Sequence, residues 1–123
     1  MKAADTGRLG EDAACRFLMS RGYEILERNF HCRFGEIDII ARCPDCVVFA
    51  EVKTRRDRRF AEAAQAVGPS KQQKLRATAL YWFSLHGEQP ARFDVIEIYT
   101  GMARDAAADT VRPTEVRHIK NAF

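Results

Sequence analysis

Two apolar runs joined by a short turn constrain the fold of this chain more than any other stretch. The runs span residues 35–40 and 47–53, and both are rich in β-branched side chains. Segments of this composition are typical of β-strands. Pro44 and Asp45 lie between them and favour a turn, so the sequence predicts a β-hairpin.

Three charged side chains interrupt these apolar runs. Asp38 lies inside the first run, and Glu51 and Lys53 end the second. Because side chains alternate along a strand, Glu51 and Lys53 emerge on one face. Unpaired charge among apolar neighbours is costly, so such groups pair, bind a metal or take part in chemistry. If the hairpin brings Asp38 beside the other two, the cluster suits a divalent metal and a phosphodiester.

The pattern Asp38…Glu51-Val52-Lys53 resembles the PD-(D/E)xK signature of restriction-endonuclease-like nucleases. More narrowly, the chain resembles the YraN-type family of small bacterial proteins, which is related to Holliday-junction resolvases of that fold. The matching segments cover nearly the whole chain in order: residues 10–14, 29–30, 33–40, 49–55, 71, 92–95 and 121–123. The resemblance implies an α/β protein with a restriction-endonuclease-like core. Its mixed central β-sheet would be flanked by helices in the order α-β-β-β-α-β.

Four residues are candidates for catalysis. Asp38 and Glu51 would hold Mg²⁺ or Mn²⁺, because hard cations prefer carboxylate oxygens. Lys53 would hold the attacking water or offset charge in the transition state. Glu11 matches a first-helix glutamate that joins the metal site in many nucleases of this fold. The alternative is structural: Asp38 caps a turn, Glu51 pairs with Lys53 on a solvated strand, and Glu11 complements the helix dipole.

Charged side chains near this pattern are candidates for contact with a nucleic-acid backbone. They are Arg33, Glu36, Arg55, Arg56 and Lys71. Arg55 and Arg56 belong to a cluster with Arg58 and Arg59, which is either a solvated charge run or a phosphate contact. Lys71 opens a predicted helix, where backbone N–H groups also favour phosphate. Glu36 could line the groove or hold a second metal.

The remaining elements follow from periodicity and from turn residues. Helices are predicted over residues 6–21 and 70–86, with Gly22 as a left-handed cap and Ser70 as the N-cap of a capping box. Strands are predicted over residues 23–30, 35–42, 46–53 and 92–99, with an edge strand at 116–119. Residues 60–67 are expected to form a short helix or an ordered loop, and residues 103–110 a loop.

Composition sets the remaining limits. The chain of 123 residues is expected to form a single domain spanning 1–123. Its net charge of +3 is only mildly basic. The sequence lacks both a run approaching the roughly 20 apolar residues of a membrane span and an apolar signal-peptide core, which predicts a cytoplasmic protein.

The cysteines raise the question of a zinc site. Cys43 and Cys46 have the spacing of half such a site, but the sequence offers no paired second half. Disulfides are the less favoured interpretation in a cytosolic chain. His31, His86 and His118 are isolated and show no metal-ligand spacing.

The leading hypothesis is a metal-dependent nuclease that hydrolyses DNA phosphodiester bonds. By analogy with resolvases, the DNA could be branched or contain a junction. The alternatives are a catalytically silent nucleic-acid-binding module on the same fold, or a protein-interaction scaffold. Since cleavage of a junction uses two active sites, a homodimer is one option.

Overall fold

A computed structural model describes residues 3–55, 67–100, 113 and 115–123, with side chains from residue 7 onward. It contains two helices, α1 (Ala3–Ser20) and α2 (Pro69–His86). Its five strands are β1 (Glu24–Cys32), β2 (Gly35–Arg42), β3 (Val47–Arg55), β4 (Ala91–Tyr99) and β5 (Glu115–Ile119). Neither described helix is long and apolar enough to cross a membrane.

The strands form one mixed sheet in the order β1-β2-β3-β4-β5. β3 and β4 are parallel, and the other neighbouring pairs are antiparallel. Parallel neighbours need a crossover connection, and the chain between β3 and β4 includes α2. The predicted mixed sheet and its flanking helices are therefore confirmed. The described order extends to α-β-β-β-α-β-β, with β5 on the edge as expected.

In the part of the chain that the structure describes, each face of the sheet packs against one helix. On the α1 face, Leu9, Ala14 and Leu18 lie in one buried cluster with strand residues such as Ile39 and Ile96. A second cluster on the α2 face packs Leu75, Ala79 and Trp82 against residues of β2, β3 and β4. Any charged side chain in a central strand therefore lies between the sheet and a helix, or near the edge of that layer.

The end of α1 follows the sequence prediction. Gly22 has a φ of 89°, a left-handed backbone conformation that glycine adopts readily because glycine has no Cβ. The Gly22 N–H donates to the Met19 carbonyl at 3.1 Å, and the Tyr23 N–H donates to the Leu18 carbonyl at 3.0 Å. This is the Schellman arrangement that ends many helices.

The start of α2 differs from the prediction. Ser70 is not the N-cap, because the helix begins at Pro69 and its N-cap is Gly68, which has no side-chain cap. Proline suits the first helical position, where its fixed φ fits and its missing N–H would have no helical partner. The predicted capping box was therefore wrong. Instead, the side-chain amide of Gln72 donates a hydrogen bond of 2.7 Å to the Val67 carbonyl.

Candidate functional site

The candidate site lies where β2 and β3 separate. The described pairing of these strands runs from Arg42↔Val47 to Ile39↔Ala50 and then stops. At the next position Asp38 Oδ2 accepts a hydrogen bond of 2.8 Å from the Val52 backbone N–H. Asp38 thus uses its side chain to bridge the two strands at the point where backbone pairing ends.

The strand alternation is interrupted at this point. Ile37 and Ile40 both pack in the cluster on the α2 face, although they are three residues apart. A regular strand would place them on opposite faces. The irregularity falls at Asp38 and fits the role of its carboxylate as a bridge rather than as an ordinary face-directed side chain.

Glu51 lies on the α2 face between two lysines. It is 7% exposed. Lys71 Nζ, from the first turn of α2, lies 2.7 Å from Glu51 Oε1, and Lys53 Nζ lies 3.6 Å from the same oxygen. Partial burial alone would lower the pKa of Lys71, but the hydrogen bond and charge of Glu51 outweigh it and the pKa is raised. The start of α2 thus supplies a cation to the carboxylate on β3.

The negative charge of Asp38 is less well compensated than that of Glu51. Burial, and next the negative charge of Glu51, raise the pKa of Asp38 to about 7, against the opposing effect of the Val52 N–H. The charges of Glu11 and Glu36 act in the same direction. We refer to Glu11, Asp38 and Glu51 as the carboxylate cluster. Of these three acids, Asp38 has the least compensated charge, which a bound cation would relieve.

Glu11 approaches the cluster from α1. A Cβ on the preceding Gly10 would lie 2.0 Å from Thr54 Oγ1 of β3, so only glycine allows this close approach of α1 to the sheet. Arg28 Nη2 lies 3.6 Å from Glu11 Oε1 and 2.7 Å from Asp12 Oδ1. Burial raises the pKa of Glu11, and interactions with Arg28 and a side-chain hydrogen bond with Asn29 only partly oppose this rise. Within the described residues, Glu11 Oε1 is buried and accepts no hydrogen bond.

Only some of the residues predicted to contact a nucleic-acid backbone lie together. Glu36 and Lys71 line a common cleft of about 480 Å³, together with Lys74 and the turn before α2. Arg33 is exposed and its guanidinium lies 4.8 Å from the centre of the Phe34 ring, outside this lining. Arg55 ends β3, where its carbonyl accepts a 2.9 Å hydrogen bond from the Thr100 N–H. Arg56, Arg58 and Arg59 lie outside the described residues.

Two further charged residues were missed in the sequence. Lys74 lines the cleft one helical turn after Lys71, a spacing that could have indicated it. Glu97 is fully buried on β4 beside Lys53 of β3, and its Oε1 lies 3.6 Å from Arg117 Nη1. An acid within the apolar residues of β4 was the available signal.

A second buried acid, Asp94, organises the α1 face. Arg92 Nε lies 3.0 Å from Asp94 Oδ1, His118 Nε2 lies 2.6 Å from Oδ2, and the Asn121 N–H donates to Oδ1 at 2.9 Å. His118 is therefore not isolated, contrary to the prediction. The sequence could not show this because β4 and β5 are joined by a long connection whose path the pattern does not define.

Four free cysteines are present, and Cys43 Sγ lies 3.3 Å from Cys46 Sγ in the β2–β3 turn. Within residues 3–55, 67–100 and 115–123, no group of three or more His, Cys, Asp or Glu side chains is arranged around a common metal position. Mg²⁺ commonly takes only one or two protein carboxylates and completes its shell with water and substrate oxygens.

Comparison with known proteins gives consistent matches. A model of the uncharacterised protein family UPF0102 matches residues 10–98. A UPF0102 protein of Pelobacter propionicus is 47% identical over 124 residues, covering 97% of this chain and 82% of the relative. A UPF0102 protein of Caldicellulosiruptor saccharolyticus is 38% identical over 125 residues and 100% of both chains. One from Thermodesulfovibrio yellowstonii is 41% identical over 124 residues, covering 100% of this chain and 99% of the relative.

Proposed function

The chain belongs to the uncharacterised protein family UPF0102. We propose that it is a metal-dependent nuclease that hydrolyses DNA phosphodiester bonds. The YraN-type membership expected from the sequence is thus confirmed. The observation that carries the proposal is the pair of carboxylates, Asp38 and Glu51, where β2 and β3 separate, with Lys53 and Lys71 beside Glu51. The order of helices and strands supports a restriction-endonuclease-like core, which is part of the same proposal.

The donor set fits Mg²⁺ or Mn²⁺. Asp38 and Glu51 provide hard carboxylate oxygens, and Glu11 adds a buried oxygen that accepts no hydrogen bond in the described part of the chain. When bound, the ion would polarise the phosphate and lower the pKa of a water molecule. Lys71 already satisfies part of the Glu51 charge and Arg28 part of the Glu11 charge, so Asp38 is the acid that most needs a cation.

The lysines would act on the reacting phosphate. Lys53 shares the α2 face with Glu51 and keeps 28% of its side chain exposed, so its ammonium can approach a water or a phosphate oxygen. In that position it would orient the attacking water and offset charge that develops in the transition state. Lys71 is 47% exposed and can donate to a phosphate oxygen while it remains next to Glu51.

The cleft beside the carboxylate cluster would hold the DNA backbone. Lys71 and Lys74 line it, and the first turn of α2 adds backbone N–H groups that have no helical partner. Glu36, which also lines the cleft, would limit where phosphates can lie or contribute to a second metal. Cleavage of junction DNA would require two such sites, and we therefore include a homodimer in the proposal.

The test is cleavage of linear, nicked, flapped and four-way DNA by the purified chain in Mg²⁺ and in Mn²⁺. We expect cleavage that Asp38→Asn and Glu51→Gln abolish and that the exposed-site control Glu88→Gln preserves. Salt-dependent DNA binding without cleavage by the parent protein would favour the silent binding module. Absence of both DNA and metal binding would overturn the proposal in favour of a protein-interaction scaffold.

A further inference from the structure

The turn between β2 and β3 places two thiols side by side. Cys43 Sγ and Cys46 Sγ are 3.3 Å apart, and the Cys43 N–H donates to the Cys46 carbonyl at 3.0 Å. A disulfide has a bond of about 2.05 Å, so each sulfur would need to move by only about 0.6 Å.

A fixed cation faces both sulfurs. Arg92 Nη1 lies 4.0 Å from Cys43 Sγ and 3.8 Å from Cys46 Sγ. Its guanidinium is held by Asp94 through Nε at 3.0 Å and by the Tyr23 hydroxyl through Nη2 at 2.6 Å. The positive charge therefore stays beside the thiols, where it favours a thiolate.

The two thiols differ in acidity. Burial alone would raise the pKa of the Cys43 thiol, but hydrogen bonds with the Cys46 thiol and with nearby backbone, together with the Arg92 charge, lower it. Burial, and next the interaction with Cys43, raise the pKa of the Cys46 thiol. This asymmetry matches a pair in which one sulfur attacks and the other resolves.

Cys43 borders a cavity whose lining is more basic than acidic. The cavity, of about 440 Å³, is lined by Cys43, by the basic side chains Arg21, Arg92 and Lys120, and by one acid, Asp45, so its lining favours an anionic reactant. Cys43 and Cys46 pack against the cluster on the α1 face, whereas Glu51 lies on the α2 face five residues further along, about 16 Å by strand rise. The thiol pair is therefore separate from Glu51 and the lysines beside it.

From this geometry we propose that Cys43 and Cys46 form a reversible disulfide by exchange with an anionic low-molecular-weight disulfide. The Cys43 thiolate attacks one sulfur of the reactant, whose S–S bond breaks and releases one thiolate. The Cys46 thiol then loses its proton and attacks the Cys43 sulfur, which releases the second thiolate. The protein loses two thiol hydrogens, and the reactant is reduced to two thiols. In a reducing compartment such disulfides are transient and respond to redox state.

The test is incubation of the full chain with glutathione disulfide, followed by thiol counting and peptide mass spectrometry. We expect a peptide linkage between Cys43 and Cys46, which dithiothreitol reverses, while Cys32 remains a thiol. Cys46→Ser should trap a mixed disulfide on Cys43. Cys43→Ser should form one at least about tenfold more slowly.

Alkylation of the unmutated protein provides a second measurement. Limiting iodoacetamide should label Cys43 before Cys46 and before the half-buried Cys32. Equal reaction of Cys43 and Cys32 with both reagents would overturn the proposal. Purification with one tightly held zinc ion that blocks both thiols would also overturn it, in favour of a metal site.

Discussion

Asp38 shows how much one side chain can depend on its surroundings. Its carboxylate accepts the Val52 N–H at the end of the β2–β3 pairing and lies near other acids. Burial and the Glu51 charge make its ionised form unfavourable, and the raised pKa of about 7 expresses this balance. Any cation that binds between Asp38 and Glu51 should therefore compete with protons for Asp38.

The first prediction concerns metal binding by Asp38. Asp38→Asn keeps the shape of the side chain but removes the charge, so the site should lose its Mg²⁺ or Mn²⁺ affinity. Calorimetric titration should show heats for the parent and for the Glu88→Gln control that are absent in Asp38→Asn. Equal heats in all three proteins would place the metal elsewhere or exclude this assignment.

The second prediction concerns Lys53. Loss of one preorganised group that stabilises developing charge commonly costs ~10²–10³ in rate. We expect Lys53→Ala to reduce DNA cleavage by this factor with little change in DNA affinity. Gel-based cleavage and equilibrium binding assays separate the two effects, with the exposed Lys120→Ala as control. A Lys53→Ala protein that cleaves at the parental rate would assign the chemistry to other residues.

Some of the residue-scale geometry was predictable and some was not. The placement of Glu51 and Lys53 on the same face follows from the two-residue period of a strand. In the structure Lys53 Nζ lies 3.6 Å from Glu51 Oε1. The contact of Glu51 with Lys71 joins a strand to the next described helix, and no local sequence pattern predicts which of their side chains will meet. The same holds for His118 and Asp94, which come from different strands.

At the scale of elements, Gly10 determines how closely α1 packs on β3. A Cβ at this position would lie 2.0 Å from Thr54 Oγ1 and 3.3 Å from Thr54 Cβ. The approach also sets the position of Glu11, which follows directly in the helix.

The third prediction is a double-mutant cycle on this contact. Gly10→Ala should lower the free energy of unfolding by about 1–3 kcal/mol, the usual cost of overpacking. Thr54→Ala removes the hydroxyl and methyl groups and should recover part of the loss in the double variant. Denaturant unfolding measures all four proteins, with Gly7→Ala as the control because a Cβ there meets no atom within 4 Å. Additive effects of the two substitutions would contradict the contact.

Element types were more predictable than element ends. The apolar runs and turn residues predicted β2 at Gly35–Arg42, as the structure has it, and β3 to within two residues. The predicted start of α2 was wrong because Pro69 and Ser70 are both typical of a helix start, and the helix begins at the proline. The predictions for residues 60–66 and 103–110 lie outside the described residues.

At the scale of the whole molecule, Asp94 joins parts of the chain that are far apart in sequence. It pairs with Arg92, which binds Tyr23 after α1, and with His118 on β5 near the C-terminus. Burial opposes ionisation of Asp94, but hydrogen bonds from His118, Arg92 and the Asn121 N–H outweigh it and lower its pKa below the usual 3.8. The ionised carboxylate is thus stabilised by folding.

The fourth prediction is a pH dependence of stability that Asp94 controls. Because its folded pKa is depressed, its stabilisation is complete above the unfolded pKa near 3.8 and is lost as pH falls through the folded pKa. Asp94→Asn should be about 3 kcal/mol less stable near neutral pH, since it breaks a buried pair. The gap should narrow below about pH 3.8, as measured by denaturant unfolding across pH. The exposed Asp45→Asn should track the parent, and a gap that stays constant in acid would contradict the assignment.

The fifth prediction concerns how the whole molecule would bind DNA. If Arg55 and Arg56 contact phosphates, each contact releases condensed counterions, and the logarithm of affinity falls with the logarithm of salt by about 0.9 per contact. Changing both to alanine should flatten that slope by roughly one to two units, with a similar loss of affinity on every sequence, because phosphate contacts do not read bases. Fluorescence anisotropy over a salt series measures the slope, with the exposed Arg16 and Arg21 changed together as the control. A slope that the first pair leaves unchanged would assign the electrostatic contact to other cations, and Lys71 and Lys74 in the cleft would then be the residues to change.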